Sequence, residues 1–290
     1  MQCCFALVLA ALISPATTTL TQAANSPVEE LLAQPRVLVI GHRGYSALAP
    51  ENTLPSFKMA LTAAVDFVEL DYYHTKDGVP VVIHDSELDR TTDARKHWNA
   101  QKIRVTDKTL EELRILDAGK WFAPEYAGTK LPTLEEALQF IQARGMTLIE
   151  RKSGDPAVCV QLLKKHGWEN HVVVQSFDWE YLKEYHRQAP EQVLGALGPP
   201  STRAGRKLSE AEKVLSPEWI TEAQATGARI IVWNKAVTSA AIEFAHSKGL
   251  KVWVYTINDE QTAHKLLEIG IDGIITDNPA AMWKALALRK

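Results

Sequence analysis

Short runs of β-branched and aromatic residues alternate with longer segments of helical periodicity along most of this 290-residue chain. The alternation predicts a parallel sheet, because each parallel strand must be joined to the next by a crossover, usually a helix. A (β/α)8 barrel closes with eight such strands, so one candidate strand is left over. The candidates are residues 37–40, 67–71, 79–83, 147–151, 172–175, 193–197, 229–233, 251–256 and 273–276.

The extra strand follows the second strand of this series. Segments 67–71 and 79–83 are separated by the turn Thr75-Lys76-Asp77-Gly78, which is too short for a crossover, so these two strands must be antiparallel. We therefore predict an α/β fold, a TIM-type (β/α)8 barrel with a small insertion over about residues 72–130, after strand 2. The barrel domain is expected to cover residues 37–290, since such barrels occupy roughly 200 to 250 residues.

The start of the chain predicts a cleaved signal peptide over residues 1–24. Residues 5–13 form an apolar run that is shorter than the about 20 residues of a transmembrane helix, and small and hydroxylated residues follow it. Positions 1–4 lack the Lys or Arg that usually begins such a leader. We expect an exported protein, periplasmic or secreted, without a stable membrane span. Segment 25–36, which contains Pro and Gln, is expected to be a linker.

The charge of the chain limits its partners. With a formal net charge of −3 and a pI near 6.3, it lacks the broad basic surface that non-specific nucleic-acid binding requires. Nucleic acid is therefore not an expected partner. The sequence leaves the oligomeric state open.

Charged residues and histidines stand at the ends of the first strands. His42 and Arg43 follow strand 1, and His84 follows the hairpin strand. On strand 2, Glu69 and Asp71 share one face because strand side chains alternate. Glu150 and Lys152 likewise share one face of the next barrel strand. Because active sites of such barrels lie at the carboxyl ends of the strands, we expect the three carboxylates to converge there.

Three carboxylates in one dry place repel each other unless a cation lies between them. All-oxygen ligands suit a hard divalent ion, so Glu69, Asp71 and Glu150 predict one bound cation, Ca²⁺ or Mg²⁺. The alternative interpretation is a set of ion pairs, Glu150 with Lys152 and Asp71 with Arg43. The two histidines beside the carboxylates favour the cation.

His42 and His84 are candidate acid and base catalysts, because imidazole titrates near neutral pH and both follow apolar strands. Which of the two is the acid and which the base stays open. Arg43 and Lys152 add fixed positive charge suited to a phosphate group, and the Arg fork can contact phosphate with two hydrogen bonds.

Short motifs in a characteristic order cover the chain from about residue 37 to residue 282. They are His42-Arg43-Gly44, Pro50-Glu51-Asn52-Thr53, Val68-Glu69-Leu70-Asp71, Thr75-Lys76-Asp77-Gly78 with Pro80-Val81-Val82-Ile83-His84-Asp85, Leu88-Asp89-Arg90-Thr91-Thr92, Leu131-Pro132-Thr133-Leu134-Glu135-Glu136, Glu150-x-Lys152, Gln175-Ser176-Phe177 and Thr276-Asp277-Asn278-Pro279. With these motifs the chain resembles the glycerophosphodiester phosphodiesterases of the phospholipase C-like phosphodiesterase superfamily.

The resemblance implies hydrolysis of a small-molecule glycerophosphodiester to sn-glycerol 3-phosphate and an alcohol. It further implies a divalent ion on the three carboxylates, acid-base catalysis by His42 and His84, and Arg43 and Lys152 on the phosphate. Glu51 is a supporting residue that is expected to orient His42 or to act on the metal indirectly. The nucleophile, water or the glycerol 2-hydroxyl, is not determined by the resemblance.

Three aromatic residues are candidates for the substrate pocket. Tyr255 stands near the end of the seventh barrel strand, and Trp121 and Phe122 lie in the insertion, where they either face the alcohol or pack the insertion itself. Two other functions stay open at this stage. One is a lysophospholipase D-like hydrolase acting on lysophospholipids, and the other is a non-catalytic barrel that binds phosphodiesters.

Overall fold

The computed structural model describes residues 25–203 and 205–288. The predicted leader, residues 1–24, lies outside the described residues, so export stays a prediction. Eleven strands are present in the described part of the chain. They are β1 (Leu38–Gly41), β2 (Phe67–His74), β3 (Pro80–Val82), β4 (Met146–Arg151), β5 (Val172–Ser176), β6 (Leu194–Leu197), β7 (Thr202–Arg203), β8 (Arg206–Lys207), β9 (Ile230–Trp233), β10 (Lys251–Val254) and β11 (Gly273–Thr276).

Eight of these strands form a closed parallel barrel. Their order around the barrel is β1, β11, β10, β9, β6, β5, β4 and β2, and pairing of β1 with β2 closes the ring. Strand β3 pairs antiparallel with β2, with Tyr72 opposite Val82. The predicted (β/α)8 barrel and the antiparallel hairpin after strand 2 are both confirmed. Strand β2 extends three residues beyond the predicted end at position 71, because its last residues pair with β3.

Helices connect the barrel strands and surround them. Thr133 begins one of these helices with a capping box: its hydroxyl accepts from the N–H of Glu136, whose carboxylate accepts from the N–H of Thr133. No helix of the described residues is both long enough and apolar enough to cross a bilayer. The helices are α1 (Pro27–Leu32), α2 (Leu54–Thr62), α3 (Ala94–Trp98), α4 (Leu110–Leu113), α5 (Leu134–Gln142), α6 (Pro156–His166), α7 (Trp179–Gln188), α8 (Pro217–Gln224), α9 (Ser239–Ser247), α10 (Glu260–Glu268) and α11 (Pro279–Ala287).

Two layers of apolar side chains stabilise the barrel. The outer layer lies between the strands and the helices, and the inner layer fills the barrel, where the rings of Phe67 and Trp253 lie 5.4 Å apart. Such a filled interior leaves only the rim of the barrel for polar chemistry.

The prediction of a linker over residues 25–36 is wrong. Helix α1 lies there, and its residues Val28, Leu31 and Leu32 are buried in the inner layer beside Leu38 at the start of β1. The three apolar residues are spaced three and four positions apart and so share one helix face. Because α1 covers the amino ends of the strands, the opposite end of the barrel is the open one.

The insertion between β2 and α5 has a core of its own. Helices α3 and α4 and the antiparallel strand β3 enclose a cluster of buried apolar residues that includes Leu88, Val105, Leu113 and Leu116. The chain leading from β3 carries His84, so this local core places that histidine over the carboxyl end of β2.

Candidate active site

The three predicted carboxylates meet at the carboxyl ends of β2 and β4. The strands are neighbours, and Asp71 is opposite Glu150 in the parallel register. Glu69, Asp71 and Glu150 each offer one oxygen, and these oxygens lie within 4.8 Å of one another. All three side chains are buried. The structure therefore brings together the acidic cluster that alternation along two adjacent strands predicted.

The loop after β1 positions the first of these carboxylates. The backbone N–H of Arg43 donates to Glu69 Oε2 at 2.7 Å, and Arg43 adopts a left-handed conformation with φ of 53°. Gly44 follows with φ of 88°, and a Cβ there would lie 2.2 Å from Ser56 Oγ. Only glycine fits this turn, because both the φ angle and the close approach of Ser56 exclude a side chain.

Asn52 holds the second carboxylate, a role that the sequence alone does not predict. Its Nδ2 donates to Asp71 Oδ2 at 2.9 Å, and its Oδ1 accepts from the N–H of Asp71 at 3.1 Å. Asn52 is buried and adopts φ of 58°, a conformation that asparagine tolerates better than most residues. Its position in the Pro50-Glu51-Asn52-Thr53 motif was the available signal.

Cations surround the acidic cluster. Lys152 Nζ lies 3.1 Å from Asp71 Oδ1 and pairs also with Glu150, while Arg43 Nε lies 3.6 Å from Asp71 Oδ2. The ion pairs of the alternative interpretation are therefore present. These ion pairs do not neutralise the cluster, however. It contains a third carboxylate, Glu69, and Arg43 also pairs with Glu51 outside the cluster.

The pKa values of the three carboxyl groups diverge. Burial, together with the charges of Asp71 and Glu150, raises the pKa of Glu69 well above its ordinary value. Burial and the charge of Asp71 likewise raise the pKa of Glu150 to about 7. For Asp71 burial is outweighed by Lys152, His84, Arg43 and Asn52, which lower its pKa to about 2. The cluster therefore takes up protons readily when nothing else neutralises it.

The donor set fits a hard divalent cation. Asp71 Oδ1 and Glu150 Oε1 are buried, and neither accepts a well-directed hydrogen bond from any residue of the described chain, although Lys152 Nζ is near both. Buried oxygens without partners are costly, and a bound cation would satisfy them. Three carboxylate oxygens in one place are the ligands that Ca²⁺ and Mg²⁺ prefer.

Each predicted catalytic histidine is held by an aspartate. His42 Nδ1 lies 2.6 Å from Asp277 Oδ1, and His84 Nδ1 lies 2.7 Å from Asp85 Oδ1. Burial opposes ionisation of both aspartates, but hydrogen bonds outweigh it and lower the pKa of each to about 2. Because an ionised carboxylate only accepts, Nδ1 of each ring carries a proton. In the neutral imidazole the other nitrogen, Nε2, is then free to accept one.

Glu51 contacts two arginines rather than His42. Its carboxylate accepts from Arg43 Nη1 at 2.8 Å and from two nitrogens of Arg90, each at 2.8 Å. Of the two roles expected for Glu51, this arrangement fits the indirect one, because Arg43 also pairs with Asp71 of the acidic cluster. Arg90 Nε donates in turn to Asp85 Oδ2 at 2.6 Å. A continuous chain of charge-assisted hydrogen bonds thus joins Arg43 to the aspartate that holds His84.

A cavity of about 200 Å³ opens among these groups. Tyr255 lines it, as expected, and Phe177 meets Tyr255 edge-on at 6.3 Å. Trp121 and Phe122 lie elsewhere: Phe122 packs edge-on against both Trp121 and Tyr126, at 5.7 Å each. Of the two roles that the sequence left open for Trp121 and Phe122, the structure shows packing of the insertion, and neither residue lines this cavity. The other cavity residues are His42, Arg43, Glu69, His84, Glu150, Lys152, Gln175, Leu197, Thr256 and Ile275.

We expect Asp277→Asn to lower kcat by about 10²-fold, because loss of the carboxylate allows the His42 ring to adopt the other tautomer. KM should change far less than kcat, because Arg43 and Lys152, the candidate phosphate contacts, are left in place. Asp107→Asn, at an exposed position of the insertion, is the matched control. A kcat near the wild-type value in Asp277→Asn, or equal changes in kcat and KM, would show that the aspartate does not position His42 for proton transfer.

Fold and site together define a (β/α)8-barrel enzyme with an acidic site suited to a divalent cation and two aspartate-held histidines. Residues 42–281 match the model of the glycerophosphoryl diester phosphodiesterase family. The chain therefore belongs to this family.

Known proteins resemble the chain over most of its length. A glycerophosphodiester phosphodiesterase of Bacillus subtilis is 33% identical over 273 residues, which cover 88% of each chain. One from Caldanaerobacter subterraneus is 32% identical over 254 residues, covering 85% of this chain and 96% of the relative. An Oleispira antarctica phosphodiesterase, solved with its product sn-glycerol-3-phosphate, superposes with a TM-score of 0.74 at 28% identity. That match covers 86% of this chain and 96% of the other.

Proposed function

We propose that this protein hydrolyses glycerophosphodiesters to sn-glycerol 3-phosphate and an alcohol, with the help of one divalent cation. The observation that carries the proposal is a cluster of three carboxylates beside two aspartate-held histidines. Two of these carboxylates, Glu69 and Glu150, and both histidines line one cavity. Membership in the phosphodiesterase family supports it, and so does the product that the Oleispira antarctica enzyme binds.

Glu69, Asp71 and Glu150 would hold the cation, Ca²⁺ or Mg²⁺. When bound, such an ion polarises a phosphoryl oxygen and stabilises the charge that develops during displacement at phosphorus. The chain itself supplies Arg43 and Lys152, which line the same cavity and carry fixed positive charge toward the remaining phosphate oxygens. Carboxylates surround both cations and raise their pKa values despite burial, so both stay charged at neutral pH.

His42 and His84 would divide the proton transfers. Both line the cavity, and each can present Nε2 because its Nδ1 is engaged by an aspartate. One imidazole removes the proton of the nucleophile, either water or the glycerol 2-hydroxyl. The other, in its protonated form, gives a proton to the departing alkoxide. Because one histidine gains a proton and the other loses one, the pair together holds the same number of protons before and after the displacement.

The proposal is tested by chelation and readdition of metal. We expect purified protein to release sn-glycerol 3-phosphate from glycerophosphodiesters, to lose this activity in EDTA, and to regain it with Ca²⁺ or Mg²⁺. Lysophosphatidylcholine serves as a comparison substrate in the same assay. Faster hydrolysis of the lysophospholipid would favour the lysophospholipase D-like function, and binding of diesters without turnover would favour the non-catalytic one.

A further inference from the structure

The cavity among the carboxylates is small for a complete diester. At about 200 Å³ it lies below the roughly 300–1,000 Å³ typical of pockets that enclose a drug-sized ligand. A second cavity of about 680 Å³, here called the outer cavity, shares His84 and Lys152 with it. Its wall is formed by Tyr73 and by the chain that follows β3, including Glu87. The two cavities therefore adjoin at a candidate catalytic histidine.

The basic side chains of the outer cavity are already neutralised. Arg90 is bound by Glu51 and Asp85, and Arg95 Nε donates to Asp89 at 3.0 Å. The third cation, Lys152, is paired with the buried carboxylates of the acidic cluster. An additional anionic group would therefore find no unpaired cation among the residues that line this cavity.

Glu87 differs from the other carboxylates in this wall. Asp85 and Asp89 are each engaged by arginine, whereas the Glu87 carboxylate has no ion pair or hydrogen bond with any residue in ranges 25–203 and 205–288. Its backbone is fixed, because it forms an antiparallel bridge with Arg104. The outer cavity thus carries one unpaired negative charge on a fixed segment.

Tyr73 gives the outer cavity an aromatic wall. It follows Glu69 and Asp71 at two-residue spacing on β2, so it points to the same side of the strand as the acidic cluster. Its ring is half-buried, which leaves part of it available to a ligand. An aromatic face combined with a carboxylate is the arrangement that recognises ammonium and quaternary ammonium groups.

We infer that the outer cavity binds the leaving alcohol and that Tyr73 and Glu87 select an alcohol bearing a cationic amino group, such as choline or ethanolamine. This inference rests on the proposed function. It places the departing oxygen beside His84, which is shared by both cavities, and so makes His84 the residue that protonates the alkoxide as the P–O bond breaks.

The sharpest test compares two substrates that differ only in charge. Glycerophosphocholine and the same diester of 3,3-dimethylbutan-1-ol have leaving groups of equal shape, with nitrogen replaced by carbon. We expect wild-type kcat/KM to be about tenfold higher for the cationic diester, and Glu87→Gln and Tyr73→Leu to reduce this ratio several-fold. Glu111→Gln, which removes a charge from an exposed position elsewhere in the insertion, should retain the wild-type ratio.

The outcomes separate the inference from the function on which it rests. Equal kcat/KM values for the two diesters in the wild type, or an unchanged ratio in Glu87→Gln, would overturn the cation subsite while leaving the phosphodiesterase activity in place. If Glu111→Gln lowered the ratio of the two kcat/KM values as much as Glu87→Gln does, the effect would come from overall charge. That result would likewise overturn the cation subsite. Failure of the wild type to hydrolyse either diester, with metal present, would contradict the proposed function itself.

Discussion

Replacing His42 or His84 by alanine is expected to lower kcat by about 10²- to 10⁴-fold, the range that positioned acid-base catalysis contributes. Each ring lines the cavity and is held through Nδ1 by an aspartate, so each is prepared to transfer protons through Nε2. Because the two residues act on the reacting bonds, kcat should fall far more than KM changes. Steady-state kinetics with a glycerophosphodiester measures both values.

Folding should survive these substitutions. The His42 and His84 side chains keep 19% and 31% of their surface exposed, so their removal leaves no large buried void. Circular dichroism and thermal melting check this point, and His97→Ala, at an ion pair of the insertion surface, is the matched control. Turnover near the wild-type value in either His42→Ala or His84→Ala would refute the assignment of that histidine.

Glu69→Gln is expected to affect stability and activity in opposite directions. In EDTA at pH 8 the variant should melt above the wild type, because a neutral amide in this position is no longer repelled by Asp71 and Glu150. The amide oxygen can still accept the N–H of Arg43 that Glu69 now accepts. With Ca²⁺ or Mg²⁺ the wild type should gain about 5 °C, whereas the variant should gain little and should lose turnover.

The same site predicts a pH dependence of stability. The pKa of Glu150 is raised to about 7 from an ordinary value of 4.5, so the metal-free folded state binds this proton more tightly than the unfolded state. The stability contributed by this proton is complete below about pH 4.5 and is lost as pH rises through 7. A bound cation replaces the proton, so the metal-induced rise in melting temperature should be small at pH 5.5 and large at pH 8.

Differential scanning fluorimetry at both pH values, with EDTA or with each ion, measures these effects. Glu125→Gln, which removes an exposed carboxylate of the insertion, should melt like the wild type under every condition. A metal-induced shift of the same size in Glu69→Gln and in the wild type would show that the cation binds elsewhere. A shift that is larger at pH 5.5 than at pH 8 would contradict the protonation of the acidic cluster.

The barrel could be predicted because its signals are local. Strand length, helical periodicity and the four-residue turn at positions 75–78 each depend on neighbours in the chain, and together they leave one topology. The convergence of Glu69, Asp71 and Glu150 followed from the same rules, since alternation along a strand and adjacency of β2 and β4 determine which side chains meet.

An error arose where composition was used in place of periodicity, and a role stayed open where contact depends on tertiary packing. Segment 25–36 was assigned as a linker from its composition, although the spacing of Val28, Leu31 and Leu32 indicates a buried helix face. For Trp121 and Phe122 the sequence leaves two roles open, a contact with the alcohol and packing of the insertion, and the aromatic contacts among Trp121, Phe122 and Tyr126 show the second.

The amino-acid sequence by itself determined the eight-stranded barrel, the face on which its acidic residues stand and the two histidines beside them. Only the tertiary structure decided which groups hold those histidines: Asp277 lies 235 positions from His42, and Arg90 joins Glu51 to Asp85. The tertiary structure also decided that Glu87 faces a cavity in which no described residue pairs with its carboxylate. The physical reason is that the periodicity of apolar residues indicates only which face of a helix or strand a side chain occupies. Hydrogen-bond partners depend instead on distances between residues far apart in the chain, and closure of the barrel sets those distances.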